Sequence, residues 1–424
     1  MFGSSGGCSM RNKRKIVNDP VYGFVTIPTE LIFDLVEHPV VQRLRRIMQL
    51  GLTHLVYPGA RHTRLSHAIG AMHLMGRAIN VLRQKDIPIS EAEWEGALAA
   101  ILLHDVGHGP FSHALERAVI ESVPHEMLSL RIMEALNQEF HGKLDVAIEI
   151  FRGQYPKKFL SQLVAGQLDV DRLDYLMRDS FYSGVSEGII GYDRILKMLH
   201  VSDGQLVVES KAIYSIEKFI VARRIMYWQV YLHKTVLAAE QMLVNALKRA
   251  RELVRNNIQV PASEPFHWFL ANTVKLEDFV ADSIAMRNFA ILDDVDIVST
   301  LKSWMNHPDT VLSRLSRGLV NRKLLKISLR NQAYAGEVIK DMQAQLARDW
   351  KINREEASWF VFQRSTSNNA YNRAAEKINI LNKDGSLQDI AEASDQLNIS
   401  FLSQPVVKYY LCYPAHLSER IQKI

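Results

Sequence analysis

The sequence predicts a mainly α protein with a smaller α+β lobe at its C-terminal end. Apolar residues recur mostly at helical spacing from residue 29 to about 255, and a linker carrying Pro261 and Pro265 follows. Beyond it, short helical segments give way to strand-like runs at 359–362 and 406–411, rich in aromatic and β-branched residues.

Taken in order, 16–28 reads as a short hairpin or loop punctuated by Asp19-Pro20 and Gly23. Thr29 is the N-cap of a helix through Val36, and Val40, Val41, Leu44, Ile47 and Met48 give 39–50 a helical stripe. A loop with Gly and Pro (51–62) leads into helices over 65–83 and 91–103, then 125–140, 145–151, 159–165 and 169–179. Asp203-Gly204 between two apolar runs signals a hairpin over 199–208. One or two long helices fill 213–254; short ones are expected at 268–271, 276–286, 294–304, 311–317 and 333–350. The implied division is a disordered N-terminal stub over 1–12, with Met10 a candidate start, a body over 13–255 and a C-terminal α+β lobe over 266–424.

An apolar fraction of 47% and a charged fraction of 23% are those of a globular chain. A net charge of +5 over 424 residues disfavours a dedicated nucleic-acid binder, while leaving room for a local phosphate site. The two cysteines, Cys8 and Cys412, indicate neither a disulfide framework nor a cysteine-bound zinc, so any metal is held by His, Asp and Glu. No apolar run approaches a membrane span and the first nine residues do not form a signal peptide, so a cytoplasmic location is expected.

The densest chemistry follows the apolar run 97–103, where His104-Asp105 precedes Val106-Gly107-His108-Gly109-Pro110-Phe111-Ser112-His113. Neighbours on a helix point about 100° apart, so His104 and Asp105 converge on one ion only where the helix ends, and Gly107 and Gly109-Pro110 supply that end. Alone, such a pair is more often a buried histidine beside a capping aspartate. Two further segments change the balance. Arg64-Leu65-Ser66-His67 opens the helix over 65–83, and on 169–179 Asp171, Asp174, Tyr175, Arg178 and Asp179 share one face. That face is either a solvated salt-bridged stripe or a surface aimed at a site; Leu168, Val170, Leu173, Leu176 and Met177 make the helix amphipathic and favour the second. His67, His104, Asp105 and Asp171 offer two imidazoles and two carboxylates, a set suited to a divalent ion that activates water and polarises a phosphoryl oxygen. His108, His113, Glu116 and His125 lie nearby in sequence as proton-transfer candidates.

With Lys15 to Gly23, Pro39 to Gly51, Tyr57-Pro58-Gly59-Ala60, Arg64 to His67, His104 to His113 and Asp169 to Asp179 in order, residues 13–250 resemble the HD-domain metal-dependent phosphohydrolases, in particular their dNTP triphosphohydrolase (dGTPase-like) branch. The resemblance implies an HD-domain helical core, one divalent metal ion (Mn, Fe, Zn, Ni or Mg) on His67, His104, Asp105 and Asp171, and hydrolysis of a dNTP to deoxynucleoside and triphosphate. It places His108 and His125 beside the scissile phosphate, with Glu116 orienting the proton-transferring histidine. Arg64, His113, Arg172, Tyr175, Asp179, Arg223 and Tyr231 would surround triphosphate and sugar, and Gln49 would contact the sugar; Arg172 stands where the eukaryotic relative has a lysine. It also implies a homo-oligomer, dimer or tetramer, and a GTP or dNTP activator site at Lys15, Ile16, Glu37 and Arg45, with Arg322 and Lys326 joining it; for the last two a plain basic helix surface competes. The alternatives are an HD phosphohydrolase of another nucleotide, a monophosphate or cyclic dinucleotide, and a non-catalytic nucleotide sensor or single-strand nucleic-acid binder.

Overall fold

A computed structural model of the chain describes residues 15–111, 113–120, 123–368, 371, 376–395 and 406–422; the expected stub over 1–12 lies outside them. Helices dominate. A hairpin, β1 (Ile16–Asp19) and β2 (Gly23–Thr26), leads into α1 (Glu30–Glu37), capped by Thr29. The core is built on α2 (Arg64–Arg83) and α3 (Glu91–Leu103), whose capping boxes, Thr63 with Ser66 and Ser90 with Glu93, fix both N-termini. From Gly96 to Leu103 every residue of α3 is buried, so the run 97–103 is a helix surrounded by others rather than an amphipathic one. Around it pack α2, α6 (Asp145–Phe151) and, through α2, α7 (Val170–Ser183), after α4 (His113–Ala118) and α5 (His125–Glu139). Asp169 caps α7, its Oδ1 accepting from Arg172 N at 2.7 Å, and Gly184 ends it in the left-handed conformation.

The hairpin β3 (Leu199–Ser202) and β4 (Gln205–Glu209) turns at Asp203 and Gly204, both with positive φ, as that dipeptide predicts. Segment 213–254 resolves into α8 (Ile213–Met226) and α9 (Lys234–Arg255), joined by a π-helical turn over Tyr227–Tyr231. Further on come α10 (Asp294–Trp304), α11 (Thr310–Val320), β5 (Lys326–Arg330) and α12 (Gly336–Trp350). Strands β6 (Phe362–Asn368) and β5 flank β9 (Val406–Tyr413) in an antiparallel sheet. Short strands β7 (Asn379–Leu381) and β8 (Leu387–Asp389) extend the β3-β4 hairpin, with β4 and β7 parallel, so the chain's last third builds onto the central body.

Three segments differ from the sequence reading. The stripe over 39–50 is helical only at Pro39–Gln42; a 3-10 turn follows and the chain then extends, because Gln49 N donates to His62 O and Arg64 N to Ile47 O, a pairing no local pattern announces. Segment 276–286 splits into a 3-10 turn at Leu276–Asp278 and a helix at Ile284–Ile291, divided by left-handed Asp282 and capped by Ser283. The run 359–362 enters its strand only at Phe362, and Lys326, weighed as part of a basic helix surface, begins β5. Among the described residues no helix is long and apolar enough to cross a membrane.

Candidate metal and phosphate site

Four elements converge at one buried point. His67, on the first turns of α2, donates from Nδ1 to Asp174 Oδ2 at 2.7 Å. Asp174 is gripped by Arg178 through two 2.9 Å bonds, and Arg178 reaches Asp19 Oδ2 at 2.7 Å. His104, where α3 ends, directs Nδ1 to Ile101 O at 2.6 Å. In both rings the partner of Nδ1 places the proton there and leaves an Nε2 lone pair facing inward. Both Nε2 atoms are buried without a hydrogen-bond partner among the described residues. Asp171 Oδ1 stands 3.0 Å from His67 Nε2 and 3.5 Å from His104 Nε2, while Asp105 stands 3.3 Å from His104 Nε2 and 3.9 Å from His67 Nε2. Ligands bound at ~2.1 Å and at right angles lie ~3.0 Å apart, so the spacing of His67, His104 and Asp171 suits one divalent ion, with Asp105 alongside, one oxygen toward each histidine.

Charge tells the same story. Burial pulls the His67 imidazole down, but Asp171 and Asp174 outweigh it and raise the pKa to about 10; Asp105 and Asp171 likewise hold His104 above its ordinary value. Burial raises Asp105 and Asp171, yet the surrounding histidines, and for Asp105 also Arg64, keep both below the usual carboxylate range. The pocket favours positive charge, and a metal cation competes there with protons.

On the far side of Asp105 stands His108, its Nε2 3.2 Å from Asp105 Oδ1, with its ring stacked on His125 at 3.7 Å between centroids. Burial and the Arg64 guanidinium, opposed by Asp105, push His108 down to about 3, so it stays neutral. His125 Nδ1 meets Glu116 Oε1 at 3.0 Å, a dyad that orients the ring. Gly107 brings the loop against α5: a Cβ there would collide with the backbone of His125 and Ser129. Ser129 Oγ accepts from Gly107 N at 2.9 Å and donates to His104 O at 2.7 Å.

Arg64 donates to Asp105 Oδ2 at 2.5 Å and also lines a cavity of about 360 Å³ with Gln49, Phe111, Tyr175, Asp179 and Tyr231. Gln49 Oε1 in the cavity wall and Arg172 Nη1, whose Nε is bound to Asp169, are also buried without a partner among the described residues. The π-helical turn sets Tyr231 edge-on to Tyr227 at 5.1 Å and sends its hydroxyl to Asp179 Oδ2 at 2.6 Å. Behind Asp179 lies His62, fully buried, with Nε2 2.8 Å from Asp179 Oδ1 and its ring stacked on Tyr182. Sequence reasoning passed over His62, whose only signal is its place two residues before Arg64. Arg223, on the last turn of α8, sits 5.7 Å over the Tyr227 ring and does not line the cavity, and the side chain of His113 lies outside the described residues. Of the expected activator group, Lys15 pairs with Glu37 at 3.0 Å beside exposed Ile16 on β1. Arg45 bonds Gln42 and lines a separate open cavity of about 870 Å³ with Arg46, Arg61 and Lys302, while Arg322 donates to Leu55 O and Lys326 is exposed on β5.

Known proteins match this arrangement. Residues 64–179 match the HD domain and 190–261 the HD associated region. A crystal structure of a phosphohydrolase from Bacteroides thetaiotaomicron is 52% identical, covers 94% of this chain and 99% of its own, and superposes with a TM-score of 0.91. The uncharacterized protein YwfO of Bacillus subtilis is 33% identical over 74% of this chain and 72% of its own. A deoxynucleoside triphosphate triphosphohydrolase SAMHD1 homolog of Dictyostelium discoideum is 32% identical over 61% of this chain, which spans 54% of that relative's length. The His-Asp pair at the end of a buried helix, its convergence with His67 and Asp171, and these matches agree: the chain belongs to the HD-domain phosphohydrolase family.

Proposed function

We propose that this protein hydrolyses a deoxynucleoside triphosphate at its α-phosphorus, releasing deoxynucleoside and inorganic triphosphate. The observation that carries this reading is that Arg64, bonded to Asp105, also lines a cavity whose wall holds Gln49 Oε1, buried without a partner among the described residues, beside Tyr175, Asp179 and Tyr231. Hydroxyl-bearing sugar suits that lining, and 360 Å³ is within the range of small-ligand sites. The match to relatives named as deoxynucleoside triphosphate triphosphohydrolases supports the same substrate class.

A divalent ion on His67, His104, Asp105 and Asp171, of the class Mn, Fe, Zn, Ni or Mg, supplies a lowered pKa for water and polarisation of a phosphoryl oxygen. This chain's residues do the rest. Arg64 and Arg172 bring positive charge to the triphosphate, Arg172 through the Nη1 that has no partner among the described residues. The family resemblance further assigns Arg223 and His113 to the triphosphate. As the bond between the α-phosphorus and O5′ breaks, His125, oriented by Glu116, gives O5′ a proton; His108, held neutral, packs beside it and excludes water. We further place a guanine-nucleotide activator at Lys15, Ile16, Glu37 and Arg45, approached by Arg322 and Lys326 of a second copy in a homo-oligomer; the Lys15–Glu37 pair supports it.

Incubation with each dNTP, each dNMP and cyclic dinucleotides, in Mn²⁺ or Mg²⁺ and with or without GTP, tests the substrate and the activator. Deoxynucleoside and intact triphosphate are expected from dNTPs. Orthophosphate without triphosphate, or turnover of monophosphates or cyclic dinucleotides alone, overturns the substrate assignment; tight binding without turnover identifies a sensor.

A further inference from the structure

Arg43 is fully buried, and among the described residues its hydrogen bonds go to main-chain carbonyls. Its Nη1 donates to Leu292 O at 3.0 Å, and its Nη2 donates to Val106 O at 2.8 Å and His108 O at 3.0 Å. Asp294, the first residue of α10, does the converse: its carboxylate accepts from Met48 N at 2.8 Å and Phe111 N at 3.0 Å. Alongside, Arg46 pairs with Asp293. Three segments far apart in sequence are thereby cross-braced through their main chain: 46–49, 106–111 and 292–294.

The loop 106–111 follows the metal ligand Asp105 and carries His108; Met48 precedes Gln49 of the cavity wall. Interrupted by Gly107, Gly109 and Pro110, this loop lies in no helix or strand, and its inward carbonyls need donors from elsewhere. Arg43 supplies donors at one end of the loop, and Asp294 supplies an acceptor at the other. Burying a guanidinium and a carboxylate only to fill space is expensive relative to apolar packing, whereas fixing five backbone atoms, four of them in the two site-bearing segments, needs such groups.

We infer that Arg43 and Asp294 are positioning residues that hold the 106–111 loop and the Met48–Gln49 backbone in the geometry required by the metal pocket and the cavity, so that the chain beyond residue 290 completes the site. This inference rests on the metal reading of His67, His104, Asp105 and Asp171.

The test uses the full chain and Mn²⁺ as probe. Asp294→Asn keeps one acceptor and turns an NH₂ toward the other amide, breaking one brace with almost no change in volume. Asp296→Asn, which removes the neighbouring cap to Asp293 N, is the control for a loosened α10. Free Mn²⁺ is followed by its electron paramagnetic resonance signal, and amide hydrogen exchange is followed in peptides covering 48–50 and 106–111. Asp294→Asn is expected to weaken Mn²⁺ about tenfold and to accelerate exchange in those peptides, while Asp296→Asn changes neither. Arg43→Lys, a point charge that cannot reach three carbonyls at once, is expected to act in the same direction. A folded Asp294→Asn protein with Mn²⁺ affinity within about twofold of wild type and unchanged exchange at 106–111 overturns the inference. If wild type itself binds no Mn²⁺, the metal reading has failed, and exchange at 106–111 alone decides whether the brace exists.

Discussion

His67 and His108 lie on opposite sides of Asp105, are equally buried, and are driven in opposite directions: His67 up to about 10, His108 down to about 3. Burial pushes both downward, so it does not distinguish them. What does is the company each keeps. His67 has Asp171 at one nitrogen and Asp174 at the other, whereas His108 shares Asp105 with Arg64, whose positive charge opposes a second one nearby. The first environment selects for a cation; the second keeps a ring neutral at the edge of a phosphate site. A single carboxylate can thus border two histidine sites of opposite preference, because charges reaching it from either side differ.

The sharpest way to break this contrast is to remove a ligand. His104→Ala is expected to lower dNTP turnover by at least about 10³-fold, about 4 kcal/mol of barrier, in steady-state assays with Mn²⁺. A mere tenfold loss would detach the pocket from the chemistry. Next comes the support behind His67. Arg178→Met strands Asp174 and Asp19 as buried carboxylates and is expected to destabilise the fold by about 3–5 kcal/mol in urea unfolding; a loss below about 1 kcal/mol would mean that the network does not anchor the histidine.

On the neutral side, His125→Gln is expected to lower kcat by about 10²-fold with dNTP, and Glu116→Gln by about tenfold. With a nucleoside p-nitrophenyl phosphodiester, whose leaving group needs no proton, both losses should largely vanish; equal losses on the two substrates would place the dyad in binding instead.

The smallest effect expected is one of pH. A histidine raised above its unfolded value of about 6.5 stabilises the fold fully below that pH and loses the contribution as pH climbs toward its folded value, here about 10. Asp174, held low by Arg178 and His67 against its burial, behaves oppositely: its contribution is present above about pH 3.9 and is lost as pH falls further. Chelator-treated protein should therefore melt highest between these limits and lose a few degrees from pH 6.5 to 9, with added Mn²⁺ restoring more at pH 9 than at pH 6. A melting temperature that rises with pH across that window in chelator would contradict the assignment.

The convergence of His67, His104, Asp105 and Asp171 was legible in sequence because each sits in a local pattern: His104-Asp105 at the end of an apolar run, His67 one turn into a capped helix, and Asp171 on a polar helix face. The same face announced Asp174 and Arg178, although not that they would bury behind His67. His62, Arg43 and Asp294 were not legible. Their partners lie 117, 63 to 249 and 183 to 246 residues away, and nothing within a helical turn of any of them signals the contact. Folding errors share that origin. The stripe over 39–50 has helical spacing, but Ile47 and Gln49 are claimed by His62 and Arg64 in an extended pairing, and tertiary hydrogen bonding overrides the local period. By contrast, the hairpin at Asp203-Gly204 follows from two residues, because positive φ at both is a local demand.

The central claim is that water attacks the α-phosphorus while His125 protonates the departing sugar oxygen, and hydrolysis of dGTP in H₂¹⁸O tests it most directly. The account predicts one ¹⁸O in the released triphosphate and unlabelled deoxyguanosine. Label in orthophosphate or in the 5′-hydroxyl of the nucleoside would contradict it.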